Sequence, residues 1–307
     1  MQIPPMWQIT PLAVAAVLVG VVHEIGLVRL ADRQTPAHRR RTRRRSLLLY
    51  AGLLILVVMA SGPFDRWAMT YLSVHMVLHV VEMFYVPPLL VLGAPLVPLL
   101  FALPATDRRG ILRAYHRAPS LGWLRWTLRV LTGPVAAIII FNAVMVLWHI
   151  PAVFNWASWH EWAMHWLMAP SFVISGVLFW RVILPSHPLP PKGGTRLQVA
   201  AIVITALEML ILAMALAIFT KTPWYSMNIV MEGYAAALRD QHWAAGILWV
   251  CGDFWAVPAL VYVVYQAVRR DGGLAATIER VFSGSEAARA QAAESGRSSS
   301  VSSSSPT

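Results

Sequence analysis

Seven long apolar runs divide this chain, and they fix its class before any single residue is considered. They fall at roughly 9–30, 46–63, 68–103, 133–150, 162–184, 198–219 and 241–268. About 20 apolar residues wound as a helix cross a hydrocarbon core about 30 Å thick. Charged residues make up only 13% of the chain, roughly half the share usual in soluble domains. The alternation expected of a membrane β-barrel is absent. The chain therefore reads as an all-α membrane protein with seven transmembrane helices over residues 1–270. Residues 271–307 read as a cytoplasmic extension. It begins with a short amphipathic surface helix near 274–282 and becomes, from Ser283, a disordered tail rich in Ser, Ala and Gly.

Charge sets the orientation. The net charge is +11, and the basic residues sit in alternate connections. One group is Arg39, Arg40, Arg41, Arg43, Arg44 and Arg45; a second runs from Arg108 to Arg129; Lys192 and Arg196 form a third; Arg269 and Arg270 follow the last run. The positive-inside rule places all four in the cytoplasm, with the N-terminus outside and the C-terminus inside. Topology and contact with anionic membrane lipid account for these clusters, and a nucleic-acid partner is not indicated. The first segment lacks a basic start and a small-residue cleavage site, so it reads as a retained span. Cys251 is the only cysteine, which excludes an intrachain disulfide and a CxxC metal motif.

With that orientation, His75, His79, His149, His160, His165 and Asp240 all fall near the outer ends of predicted helices. Such groups are expensive in hydrocarbon and must find partners or a function. His75 and His79 are four apart and share one helical face, about 10 and 15 Å below the start of their segment. Glu82 continues the stripe, with Met76 and Met83 beside it. Pro87 and Pro88, then Gly93 and Pro95, predict a helix that is kinked or broken from 87 onward. Pro151 stops the fourth span just after His149. His165 lies near the start of the fifth, with Met164 and Met168 nearby. Asp240 opens the seventh beside Gln241 and His242, where a carboxylate serves either as a helix cap or as part of a site. Imidazole with nearby thioether is a donor set for copper, zinc or iron. His23, Glu82, Glu208 and Asp253 lie deeper; interhelical hydrogen bonding and a proton or metal path are both open for them.

Several segments together resemble the cytochrome c oxidase assembly factor family of CtaG type. They are HMVLH followed by PPLLVLGAPL, then WHIPAVFNWA, then a His ahead of SGVLFW, then DQ ahead of the Trp in ILWVCGD. The match covers roughly residues 65–260. Two positions depart from the pattern: Ala169 stands where the family often has a second His, and Leu248 where it often has Met. The resemblance implies a non-enzymatic protein of the bacterial cell membrane that delivers copper, as Cu(I), to a haem-copper oxidase. The implied recipient is the dinuclear centre of subunit II, or a copper-carrying protein. Carried over by position, the family's polar motif residues are His75, His79, His149, His165, Asp240 and Gln241; of these, His75, His79, His149, His165 and Asp240 are the expected metal site, with Asp240 orienting a histidine. Two competing classes remain at this stage. One is a haem-binding electron-transfer protein with two axial histidines; the other is a metal or proton transporter.

Overall fold

The computed structural model describes residues 9–273; the expected surface helix at 274–282 and the tail from Ser283 lie outside the described residues. Apart from two isolated bridges, Ile9 with Ser61 and Ser186 with Leu189, every regular element among them is helical.

Helix α1 (Pro11–Ala31) starts where Thr10 caps the backbone N–H of Ala13 at 3.3 Å and Pro11 supplies a fixed φ. Thr35 and Pro36 repeat the device for α2 (Pro36–Met59). A short α3 (Gly62–Thr70) leads into α4 (Leu72–Leu92), followed by α5 (Leu96–Ala102) and α6 (Ala105–Arg117). Segments α7 (Pro119–Leu131) and α8 (Pro134–His149) meet at 71°. Then come α9 (Pro151–Ser158), α10 (Glu161–Ile183), α11 (Thr195–Phe219), α12 (Ser226–Glu232) and α13 (Tyr234–Asp271).

Five helices are long and apolar enough to cross a membrane: α1, α4, α10, α11 and α13; counting the bent α7–α8 pair as one span makes six. The α2 helix has the length, but its first half carries the run Arg39–Arg45, leaving only Ser46–Met59 apolar.

Among the five, α4 is the central one. Its most apolar stretch is 61% buried, against 44% for α10 and 28–31% for the others. It packs against α2, α3, α10 and α13. The break expected between 87 and 103 is present, but not at Pro87 and Pro88. The helix runs through both prolines because Val81–Tyr85 widens into a π-turn just before them. Pro87 removes the N–H that would meet the Met83 carbonyl one turn earlier, and the Trp180 indole of α10 donates to that carbonyl instead at 3.2 Å. At the same level Gly176 lets α10 approach closely: a Cβ there would lie 2.5 Å from Pro87 Cγ. The true break comes at Gly93–Pro95, where Ala94 turns with φ 52°.

The two ends of the bundle differ in chemistry. At one end the start of α1 and α4 meets the end of α8. At the other, Arg29 donates to the Ala102 carbonyl, and the Arg108 guanidinium stacks 4.0 Å from the centre of the Phe101 ring.

Candidate functional site

Three imidazoles pack together near the start of α4. The ring centres of His75 and His79 are 4.2 Å apart, as the shared helical face requires, and His149 from the end of α8 lies 5.9 Å from His79. All three are buried. Phe154 of α9 sits edge-on to His75 at 5.0 Å, and Phe172 of α10 lies 4.2 Å from His79. Burial in so apolar a place normally demands a hydrogen bond for each polar atom. Here His75 Nε2, both nitrogens of His79 and His149 Nε2 have no partner.

The backbone fixes the tautomer of one ring. His149 Nδ1 lies 2.6 Å from the Met145 carbonyl one turn back. A carbonyl oxygen only accepts, so Nδ1 carries the proton and Nε2 presents a lone pair. Tyr225 holds the end of the same helix, donating from its hydroxyl to the His149 carbonyl at 3.2 Å. The His75 ring lies against the Ala68 backbone of α3. His79, between them, is held by ring contacts alone.

A cavity of about 40 Å³ opens beside His75 and His79, and Asp65, Glu82, Met164 and His165 also line it. It has room for a few small atoms, not for a macrocycle, since one water needs about 10–15 Å³ measured this way. His165 Nε2 is paired with the Asp65 carboxylate at 3.2 Å. Thus His165 faces the same space as His75 and His79 with its ring already engaged.

A family described as cytochrome c oxidase caa3 assembly factor matches residues 21–270. The chain belongs to that family. The family's description is that of an assembly factor, which implies a role other than catalysis. With five helices suited to crossing a membrane, this member is a multi-pass protein of the bacterial membrane. Among curated proteins it resembles uncharacterized proteins of Mycobacterium bovis and Mycobacterium tuberculosis, each 27% identical over 246 residues, which is 77% of this chain and 36% of theirs. One from Mycobacterium leprae is 23% identical over 274 residues, 86% of this chain and 40% of its own length. The chain thus spans well under half the length of these relatives. No solved structure matches it.

The structure sorts the expected residues of this family member into three groups. His75, His79 and His149 form the packed trio. His165 faces their cavity but binds Asp65. Asp240 makes no hydrogen bond to the rings; its Oδ2 accepts the Ser73 N–H at 3.1 Å and so caps α4, whose own preceding residue, Tyr71, supplies no side-chain cap. The carboxylate thus fixes the helix that carries two of the histidines. Gln241 anchors the loop before α12, accepting from Trp224 N and donating to the Leu216 carbonyl. His160 is exposed and stacks on Trp156, and His242 is exposed. Among the described residues no three His, Cys, Asp or Glu side chains stand at separations that would hold a metal ion without some movement. Of the deeper groups, Glu82 lines the cavity beside His75 and His79. His23 bonds Ser46 at 2.9 Å between α1 and α2, Glu208 lies on α11 with one oxygen unpartnered, and the Asp253 side chain lies outside the described residues.

Sequence reasoning passed over Asp65. Its signal was there: a lone carboxylate in GPFDRW, immediately before the apolar run that carries both histidines. Ala169, at the position where the family often has a second histidine, lines the cavity, so the departure from the family's pattern falls at the candidate site.

Proposed function

We propose that this chain binds copper between His75, His79 and His149 and hands it to a haem-copper oxidase during assembly. One observation carries the reading: four imidazole nitrogens, buried in three touching rings, have no protein partner. A buried polar atom without a partner costs about 1–3 kcal/mol, and a soft metal ion is a partner that would remove this cost at several nitrogens together. His165 and Asp65 flank the cavity and would guide entry, with the thioethers of Met164 and Met168 as transient ligands.

The same reading completes the topology. With α2 and α8 added, the chain crosses the membrane seven times. The arginine-rich connections and the C-terminus are then cytoplasmic, and the histidine end and N-terminus face outward. That placement suits delivery to the dinuclear copper centre of subunit II or exchange with a copper-carrying protein.

The test is metal analysis of the detergent-purified protein after loading with Cu(I). The parent should retain copper after desalting, and the His75→Ala/His79→Ala variant should lose it. Unchanged stoichiometry in a folded double variant would refute the site.

A further inference from the structure

One face of α2 changes character along its length. Arg41, Arg45, Leu49 and Leu53 recur every four residues and so form one stripe. Arg41 and Arg45 open onto a cavity of about 170 Å³ that His38, Thr42 and His187 also line. Leu49 and Leu53 line a second, almost wholly apolar space of about 550 Å³, walled by α1, α4 and α10. The two spaces adjoin: Ser186 lines the apolar one and His187 the basic one, while Gly93 and Ala94 sit between the apolar-facing Val91 and Pro95.

The basic cavity has no counter-charge of its own. No carboxylate lines it, and neither Arg41 nor Arg45 makes a hydrogen bond or ion pair among the described residues. Burial, followed by the nearby Arg45, Arg41 and His38, holds the His187 imidazole below its usual range. Arg181, at the same end of the apolar space, spends its donors on the Leu184 and Pro190 carbonyls and meets no acid there. Clustered cations against a low-dielectric wall attract an anion. The junction of arginines and leucines on α2 is also where the surface of a bilayer would fall.

We infer that an anionic phospholipid binds along α2, its phosphate between Arg41, Arg45 and His187 and one acyl chain in the apolar space between α1 and α10. A free anion would use only the first cavity and a neutral lipid only the second. A single molecule with both parts matches both surfaces in their order.

The test uses the full chain, purified in neutral detergent and stripped of lipid. Retention is measured by native mass spectrometry and by thermal shift for phosphatidylglycerol, for phosphatidylcholine of the same acyl chains, and for inorganic phosphate. Phosphatidylglycerol should bind at least tenfold more tightly than phosphatidylcholine, and phosphate alone should not stabilise. Arg41→Gln/Arg45→Gln should weaken phosphatidylglycerol about thirtyfold, since each basic side chain near such a headgroup contributes about 1 kcal/mol. Arg41→Lys/Arg45→Lys should restore most of it. Leu53→Trp, which fills the apolar space, should weaken both lipids. If the glutamine variant does not fold, salt decides on the parent protein: phosphatidylglycerol binding should fall as salt rises. Equal binding of the two lipids, no effect of the glutamine pair, no effect of salt, or protection by phosphate equal to that by lipid would each overturn the inference.

Discussion

His79→Leu should stabilise the metal-free protein and abolish its response to copper. Both ring nitrogens of His79 are buried without a partner, and 4% of the residue is exposed. Each unmade hydrogen bond of this kind costs about 1–3 kcal/mol. Leucine has no polar atom and similar bulk, and a near-isosteric swap in a packed core costs less than about 1.5 kcal/mol. Taking the low end of that cost for both nitrogens, about 2 kcal/mol, the net expectation is a gain of about 0.5–2 kcal/mol, or about 2–6 °C in Tm at roughly 3 °C per kcal/mol for a chain of this size. Bound copper reverses the order. At Cu(I) a hundredfold above Kd the parent gains about 2.7 kcal/mol, while the variant gains nothing. The assay is thermal unfolding in detergent at one scan rate, with a copper chelator and then with Cu(I). A variant that melts below the parent in chelator would show His79 to be a structural residue and would remove the physical basis of the copper reading. A parent that fails to respond to Cu(I) would remove it equally.

Three further outcomes follow from other contacts. Asp240→Ala removes the cap from α4 and should cost about 1–2 kcal/mol by thermal melt, with a loss of copper affinity in step because His75 lies within the first turn the cap holds; an unchanged melting point would refute the capping role. Gly176→Ala drives a methyl group to 2.5 Å from Pro87 Cγ and should cost about 1–3 kcal/mol, visible as lower yield and Tm; wild-type stability would mean that α10 does not approach α4 this closely. Burial, and then the neighbouring Asp240, pushes the Glu232 carboxyl above its usual range, with Arg239 opposing. The folded chain thus holds that proton more tightly than the unfolded chain, and its stabilising share is lost as pH rises through the folded value. Glu232→Gln should melt higher than the parent at about pH 8, and the gap should close near pH 4 as Glu232 protonates in both states; a gap that widens on acidification would contradict the assignment.

How much of this could be read from the chain depends on the range of each contact. Apolar length disclosed α1, α4, α10, α11 and α13, because hydrocarbon thickness leaves few alternatives. The pairing of His75 with His79 followed from helical periodicity, and Pro151 marked the end of α8 just beyond His149. Pro87 and Pro88 misled, since a π-turn and the Trp180 donor absorb them, and the chain breaks at Gly93–Pro95 instead. Nothing local announces the His165–Asp65 pair, which joins residues 100 positions apart, or the Asp240–Ser73 cap across 167. Periodicity describes one helix at a time, whereas both of these contacts depend on how helices are set beside one another.

The same contacts bear on which ion the trio would accept. The three imidazoles, walled by Phe154 and Phe172, themselves bring no negative charge and no carboxylate bonds any of the rings, although Asp65 and Glu82 line the adjoining cavity. The cost of burying a bare ion rises as the square of its charge, so a divalent ion meets about four times the penalty of a monovalent one in such a place. Zinc in closed protein sites is held by four ligands, commonly with thiolate or carboxylate among them, and this cluster has three rings and neither. Cu(I) carries one charge and is content with few soft or borderline donors. A site with few ligands also leaves room for an incoming one. The cavity lies against His75 and His79, and His165 stands across it, held by Asp65. On the copper reading an acceptor's donor atom would approach through that space, displacing an imidazole rather than forcing an empty site, and the ion would leave the trio by exchange without ever lying bare in the hydrocarbon.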